Sequence, residues 1–165
     1  MYHVASLPES DDPAAKPVVY QQIEGRVTVA EEVRQVEYYS VLIPNKIGEG
    51  SRVLGALRDE GVNFTGIWAY PQGKRQARMD LVPDDAAAMK KALRKIGVAI
   101  ESTQKGFLVS GDDRPGAVAD ALAKLAGAGI NVRATQAICA GQGRFGSFIQ
   151  LEPEEVRKAK KALGA

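Results

Sequence analysis

The chain of 165 residues carries one cysteine, Cys139, and one histidine, His3. A single thiol excludes an intrachain disulfide and a multi-thiolate metal site. A single imidazole excludes a histidine cluster for zinc and leaves no well-placed Ser/His/Asp triad. No apolar run approaches the roughly 18 residues that a membrane helix needs, and residues 1–17 have neither the basic start nor the apolar stretch of a signal peptide. The expectation is a cytoplasmic protein with no metal, no cofactor and no membrane association.

What is present is ordinary in bulk and uneven in detail. Hydrophobic residues make up 45% and charged residues 25% of the chain, which fits a folded domain and not a disordered one. The net charge of +2 splits into −4 over residues 1–37 and +6 over residues 38–165, so charge alone does not dismiss nucleic acid. Residues 1–17 combine Pro8, Pro13 and Pro17 with Glu9, Asp11 and Asp12 and show no helix or strand period. They read as a mobile arm. Val18-Val19-Tyr20 and Arg26-Val27-Thr28-Val29 flank Gly25 and suggest two short strands around a turn.

From Tyr38 onward the sequence repeats itself. Ile47-Gly48 answers to Pro115-Gly116, Val53-Leu54 to Ala121-Leu122, Leu57 to Leu125, and Gly61-Val62-Asn63 to Gly129-Ile130-Asn131, all at an offset of 68. Pro83-Asp84-Asp85 then answers to Pro153-Glu154-Glu155, and Lys90-Lys91-Ala92-Leu93 to Lys160-Lys161-Ala162-Leu163, at an offset of 70. The two extra residues are expected in Ala140-Gly141-Gln142-Gly143, because a hairpin loop tolerates insertion.

Each repeat reads strand, helix, strand, strand, helix. In the first, Tyr39 to Ile43 is β-branched and apolar; Val53, Leu54 and Leu57 follow at helical spacing, and Gly61 ends that helix. Val62–Tyr70 and Gln76–Val82 form a hairpin around Pro71-Gln72-Gly73. Asp84 and Asp85 suit the positive start of the second helix, whose buried stripe is Met89, Leu93 and Ile96. Val98-Ala99-Ile100 is read as a fourth strand. The second repeat begins at the strand Phe107-Leu108-Val109 and stops before any equivalent of that fourth strand, which leaves a sheet edge open. The stretch Gly25–Val29, or a second subunit, is expected to fill it.

The most informative stretch is Asp113-Arg114-Pro115-Gly116 between a strand and a helix. Asp113 is placed to cap, Pro115 stiffens the turn, and Gly116 lets a ligand approach the free N–H groups of the helix start. Ile130-Asn131-Val132 opens the next strand. This strand, D-x-P-G loop, helix and G-I-N-I pattern resembles the ACT domain, a small-molecule-sensing βαββαβ module of regulators of amino-acid metabolism. In the first copy Asn45-Lys46-Ile47-Gly48 has drifted from it, while Gly61-Val62-Asn63-Phe64 is retained. The resemblance covers residues 38–165.

The fold it implies is α+β: two tandem ferredoxin-like βαββαβ modules of ACT type, with antiparallel sheets and helices on one face. They occupy residues 38–103 and 104–165, the second lacking its last strand, after an amino-terminal arm over residues 1–37 that is partly disordered with short strands. The function it implies is an amino-acid-responsive regulatory protein, a homodimer that binds a free amino acid and acts on a separate enzyme. Carried over residue by residue, the binding positions are Asn45, Lys46, Ile47, Gly48 and Asn63 in the first copy. In the second copy they are Asp113, Arg114, Pro115, Gly116 and Asn131. The backbone at Gly48 and Gly116 would hold the carboxylate, and Asn63 and Asn131 the amino group; Glu49 weakens the first site by its charge.

Other readings compete. A ligand-free dimerisation or adaptor module, in which the loops only shape turns, fits the same residues. An RNA-binding module of RRM type shares the βαββαβ order, but Arg144-Phe145-Gly146-Ser147-Phe148-Ile149-Gln150-Leu151 places only Phe148 among aromatics on the face of Arg144, where base stacking needs several. Nucleic acid is therefore disfavoured. No acid and base pair with a histidine is on offer, so an enzyme is not expected. Trp68 and Tyr70 read as packing or interface residues, and Cys139 as a small buried strand residue.

Overall fold

The computed structural model describes residues 20–23, 26–29, 31–139 and 141–165. The arm expected over residues 1–17 lies outside them. Residues up to Ala30 and those from Glu31 onward form two separate units. In the first, β1 (Tyr20–Ile23) and β2 (Arg26–Val29) pair antiparallel.

The second unit is α+β. Its strands are β3 (Glu32–Pro44), β4 (Phe64–Gln72), β5 (Gln76–Pro83), β6 (Ile100–Asp112), β7 (Val132–Cys139) and β8 (Arg144–Leu151). The helices are α1 (Glu49–Asp59), α2 (Ala86–Lys95), α3 (Ala117–Gly127) and α4 (Val156–Leu163). All strands join one antiparallel sheet in the order β4-β5-β3-β6-β8-β7.

Alternation along the central strands decides where the helices go. Tyr39, Val41 and Ile43 of β3 pack with Val53 and Leu57 of α1 and with Met89 and Leu93 of α2. Phe107 and Val109 of β6 pack with Ala121 and Leu125 of α3 and with Ala159 and Leu163 of α4. Val33 pairs directly with Val109, so these odd-numbered residues share one face of the sheet and the helices cover that face. Each fully buried Leu, Ile or Phe there contributes about 1.5–3 kcal/mol relative to exposure. At the start of α2, Asp85 accepts hydrogen bonds from the amides of Ala87 and Ala88, as the sequence predicts.

The other face is concave. In a flat sheet β4 and β8 would lie about 19 Å apart, four steps of about 4.8 Å. Instead the rings of Trp68 and Phe148 stand with centroids 4.3 Å apart. Phe148 also meets Tyr38 edge-on at 5.3 Å, and a Cβ at Gly106 would lie 2.6 Å from its ring. Glycine at 106 is what lets Phe148 lie against β6.

Three sequence readings change. The strand expected at Val98–Ile100 begins only at Ile100, and it continues without a break through Phe107–Val109 as one 13-residue strand, β6. The open edge of the second repeat is filled from within the same unit: Glu32–Glu37, the upstream part of β3, pairs with Lys105–Ser110. Strand β3 therefore starts at Glu32, inside the stretch read as an arm. The two extra residues also sit elsewhere. Tyr70 pairs with Arg78 and Ile138 with Gly146, both shifted by 68, and the bonds from the Asn45 amide to the Arg75 carbonyl and from the Asp113 amide to the Gly143 carbonyl keep that offset. The hairpins are thus equal in length. The extra residues fall after Leu151, where a single 3-10 turn (Pro153–Glu155) precedes α4.

Removing residues 1–37 strips six residues of ladder from β6, whereas removing residues 1–30 leaves the ladder whole. We expect the shorter chain to aggregate or lose its cooperative urea transition and the longer one to keep it; sedimentation and far-UV circular dichroism read both.

Candidate functional site

The two strand-to-helix loops have the same backbone. Gly48 and Gly116 precede α1 and α3 with φ of 88° and 86°, in the left-handed region where a Cβ costs about 1–2 kcal/mol. The amides of Glu49 and Ala117 close turns on the carbonyls of Lys46 and Arg114, at 3.3 and 3.2 Å. The remaining first-turn amides have no partner within the helix, the arrangement that suits an anion. Both caps use glycine backbone only; no side chain caps either helix. This differs from the capping role expected of Asp113, whose carboxylate instead accepts from the Cys139 thiol.

Side chains separate the two loops. Asn45, Lys46 and Ile47 are exposed, Ile47 entirely so. Glu49 pairs with Arg52 at 2.9 Å, which offsets its charge at the start of α1. In the second loop Arg114 pairs with Asp120 at 2.5 Å, and Pro115 is exposed beside it. Asn63 donates to Asp84 at 2.8 Å and Thr65 donates to the same carboxylate at 2.8 Å. The Asn63 carbamoyl oxygen stays available as an acceptor. Asn131 is exposed and its side chain has no partner among the described residues.

Topology separates the loops from the asparagines. Strand β4 runs parallel to β3, and β7 parallel to β6, so within each repeat the loop and the asparagine stand at opposite ends. In register, Val132 is level with Glu37 through Leu151, and Phe64 is level with it through Pro83, so both asparagines stand near the middle of the sheet, Asn131 well short of the 45–48 loop and Asn63 well short of the 113–116 loop. In the sheet, three strand steps separate each loop from that asparagine.

The concave face holds polar groups that the sequence reading missed. Asp80 is fully buried, accepting from Ser40 at 2.6 Å, Arg78 at 2.9 Å and Gln150 at 3.2 Å. Arg78 also donates to Ser40 at 2.6 Å and stands 3.6 Å from Glu101. Tyr38 donates to Gln104, which also accepts from Arg133 at 3.3 Å. A carboxylate inside the apolar run Met79-Asp80-Leu81-Val82 was the available signal. Burial and then the Asp80 charge push the Tyr38 phenol up, and the same causes raise Tyr70. Tyr39, buried and bonded to Glu37 at 2.8 Å, is pushed up to about 12.

Two smaller expectations also meet the coordinates. Cys139 is exposed rather than buried, because it ends the edge strand β7 beside a hairpin; the bond to Asp113 raises its pKa. Phe148 is 3% exposed and Phe145 6%, so β8 offers no aromatic for base stacking. Among the described residues there is no metal-binding group of side chains, and no helix is long and apolar enough to cross a membrane.

No protein-family model and no curated protein sequence matches the chain. Solved structures do. A protein from Bacteroides thetaiotaomicron aligns with a TM-score of 0.70 at 20% identity, over 80% of this chain and 88% of its own. The ligand-free regulatory subunit of aspartate kinase from Thermus thermophilus aligns with 0.57 at 19%, over 83% and 95%. The same subunit from Thermus flavus gives 0.53 at 17%, over 84% and 97%. The fold is ACT-like. At these identities the likeness concerns architecture, and it spans nearly all of each regulatory subunit.

Two measurements test the buried groups. Asp80→Ala leaves the largely buried Arg78 guanidinium without its closest carboxylate and should destabilise the fold by about 3–5 kcal/mol in urea unfolding. For Tyr39 the unfolded phenol releases its proton near 10 while the folded one holds it to about 12. Stability from this group is therefore complete below pH 10 and falls as pH rises toward 12. Tyr39→Phe should flatten that alkaline loss.

Proposed function

We propose that the chain is a non-catalytic, amino-acid-responsive regulator built from two ACT-type βαββαβ modules, each using the extension of the other's first strand as its fourth. The observation that carries this reading is the repeated loop: two left-handed glycines, 68 positions apart, open helices with matched backbone bonds and unpaired first-turn amides. An α-carboxylate fits those amides, and an asparagine, Asn63 or Asn131, brought up by a second copy of the chain accepts from the ammonium group. The second site, built from Asp113, Arg114, Pro115, Gly116 and Asn63, has no acid at the first helical position, where the first has Glu49. It is the stronger carboxylate binder of the two. The likeness to aspartate kinase regulatory subunits supports a role exerted on a separate enzyme, with a homodimer closing each loop against an asparagine.

A ligand-free adaptor is the second reading. It is favoured by Ile47, fully exposed at the tip of the first loop, and by Ile138, 73% exposed on edge strand β7. Both are placed to meet another chain.

A thermal-shift screen of the twenty amino acids at millimolar concentration separates the two. At least one amino acid should raise the midpoint, and Asn131→Ala or Asn63→Ala should reduce that shift without lowering the unliganded midpoint by more than a few degrees. A dimer that responds to no amino acid would leave the adaptor reading standing.

A further inference from the structure

The four helices do not share their charge evenly. Helix α1 joins β3 to β4 across β5, and α3 joins β6 to β7 across β8, so these two lie toward the outer strands. Helix α2 joins β5 to β6 across β3, and α4 takes the same place in the second repeat, so these two lie over the central pair. Along β3, Val33 packs against the cluster that includes α4, and Tyr39, Val41 and Ile43 belong to the one that includes α2. The outer helices carry both signs and match them: Glu49 pairs with Arg52, Arg58 with Asp59, and Lys124 with Glu31. The inner helices carry one sign only. Neither Ala86–Lys95 nor Val156–Leu163 contains an acid, and each contains four cations.

Ordinary helix electrostatics does not account for these cations. In α4, Val156, Ala159 and Leu163 are buried and Ala162 is half-buried, so every exposed residue is a cation: Arg157, Lys158, Lys160 and Lys161. None of these, nor Arg94 of α2, has an ion-pair partner among the described residues. In α2, Lys90 lies over the Tyr39 ring and Lys95 bonds to Glu60, whose carboxylate also feels Lys91. The helix dipole favours cations in a last turn, yet Arg157 and Lys158 stand in the first turn of α4, at its positive end. Glu154 and Glu155, in the 3-10 turn before it, form no ion pair with them. Arg157 is three and four residues from Lys160 and Lys161, and Lys158 is three from Lys161, spacings at which like charges repel. An anion lying across both helices relieves that repulsion.

The composition of the face selects among anions. Protein interfaces are depleted in lysine and centre on buried aromatic anchors, whereas α2 and α4 expose no aromatic residue. A helix lying on a bilayer buries its apolar face there, but Met89, Leu93, Val156 and Leu163 are taken up in the cores. Single-stranded nucleic acid stacks its bases on rings. A duplex needs only cations for its phosphates. Val33 and Tyr39 are about 20 Å apart along β3, so the two helices fall within one turn of a duplex, about 34 Å.

We propose that the two inner helices form a binding face for the phosphate backbone of a nucleic-acid duplex, held without reading of its bases. Arg94, Arg157, Lys158, Lys160 and Lys161 supply the phosphate contacts. This face is on the opposite side of the sheet from Phe148, so it does not depend on stacking rings in β8. The proposal goes beyond the amino-acid reading and does not rest on it.

The test uses the full chain and a labelled DNA duplex of about two turns, with binding read by fluorescence anisotropy. Five phosphate contacts predict a slope of log affinity against log salt of about −4 to −5, and so a loss of about 500-fold between roughly 50 and 200 mM NaCl. Duplexes of unrelated sequence should bind alike. Arg157→Gln, Lys158→Gln, Lys160→Gln and Lys161→Gln made together should reduce the steepness of that slope by about 3 to 4 while the far-UV circular dichroism is kept. Lys74→Gln with Arg75→Gln, at the tip of the β4–β5 hairpin, should leave it unchanged.

Absence of duplex binding at the lowest salt overturns the proposal, as does an unchanged slope in the fourfold variant. Tighter binding to a single strand than to the duplex overturns it too. Equal binding to poly-L-glutamate overturns it and makes the face a site for acidic protein; capture by phosphatidylglycerol vesicles but not by the duplex makes it a membrane surface. An amino acid that raises the thermal midpoint supports the regulatory reading whichever way the duplex result falls.

Discussion

The pairing of β3 with β6 is the constraint on which the rest depends. Each is 13 residues long, and each serves two halves of the unit at once. The downstream part of β3 lies between β5 and the start of β6, and the downstream part of β6 lies between β8 and the start of β3. Antiparallel pairing sends the two chains off in opposite directions, so the two helix-opening loops leave the sheet at opposite ends, about 40 Å apart along the strand. The same register brings the helix-facing residues of both strands to one face. A slip of one residue would turn Tyr39, Val41, Phe107 and Val109 out of their cores together.

The two faces of the sheet obey the repeat to different degrees. Toward the helices the halves agree closely: Tyr39 answers to Phe107, Val53 to Ala121, Leu57 to Leu125, and all six are buried. On the concave face the same offset sets unlike residues against each other. Asp80 corresponds to Phe148, Ser40 to Leu108, Arg78 to Gly146 and Tyr38 to Gly106. One half therefore carries a buried, hydrogen-bonded ion pair, and the other an apolar floor with room above it. Gln150 reaches from the second half to Asp80, so the asymmetric groups also tie the halves together. Removing one member of such a pair leaves the other charged group buried without its partner.

Much of the architecture was legible because local chemistry repeats in the chain. The glycines at 48, 61, 116 and 129 all have positive φ, and the periodic Val53, Leu57, Ala121 and Leu125 set the helices before any coordinates. The long strands were not legible. Glu101 to Gly106 is a polar run that reads as a connection, yet it forms ladder between two apolar segments because β3 lies alongside. Glu32 to Glu37 hides a strand among acids for the same reason. The loop residues were found individually, but their distribution over two ends depends on which strands run parallel, and that is a property of the assembled sheet. Trp68 and Phe148 come together only because the sheet curls, which no spacing in the sequence records.

The shared strands also bear on how the chain acquires its structure. Glu32 pairs with Ser110, so β3 emerges during synthesis with one edge fully bonded only after β6 has been made. Neither half can finish its sheet from its own residues, and contacts this distant in sequence slow folding relative to local ones. The nascent first half is thus an unfinished sheet with an exposed edge, and the chain commits to its fold late, when the strand at its middle closes on the strand at its beginning.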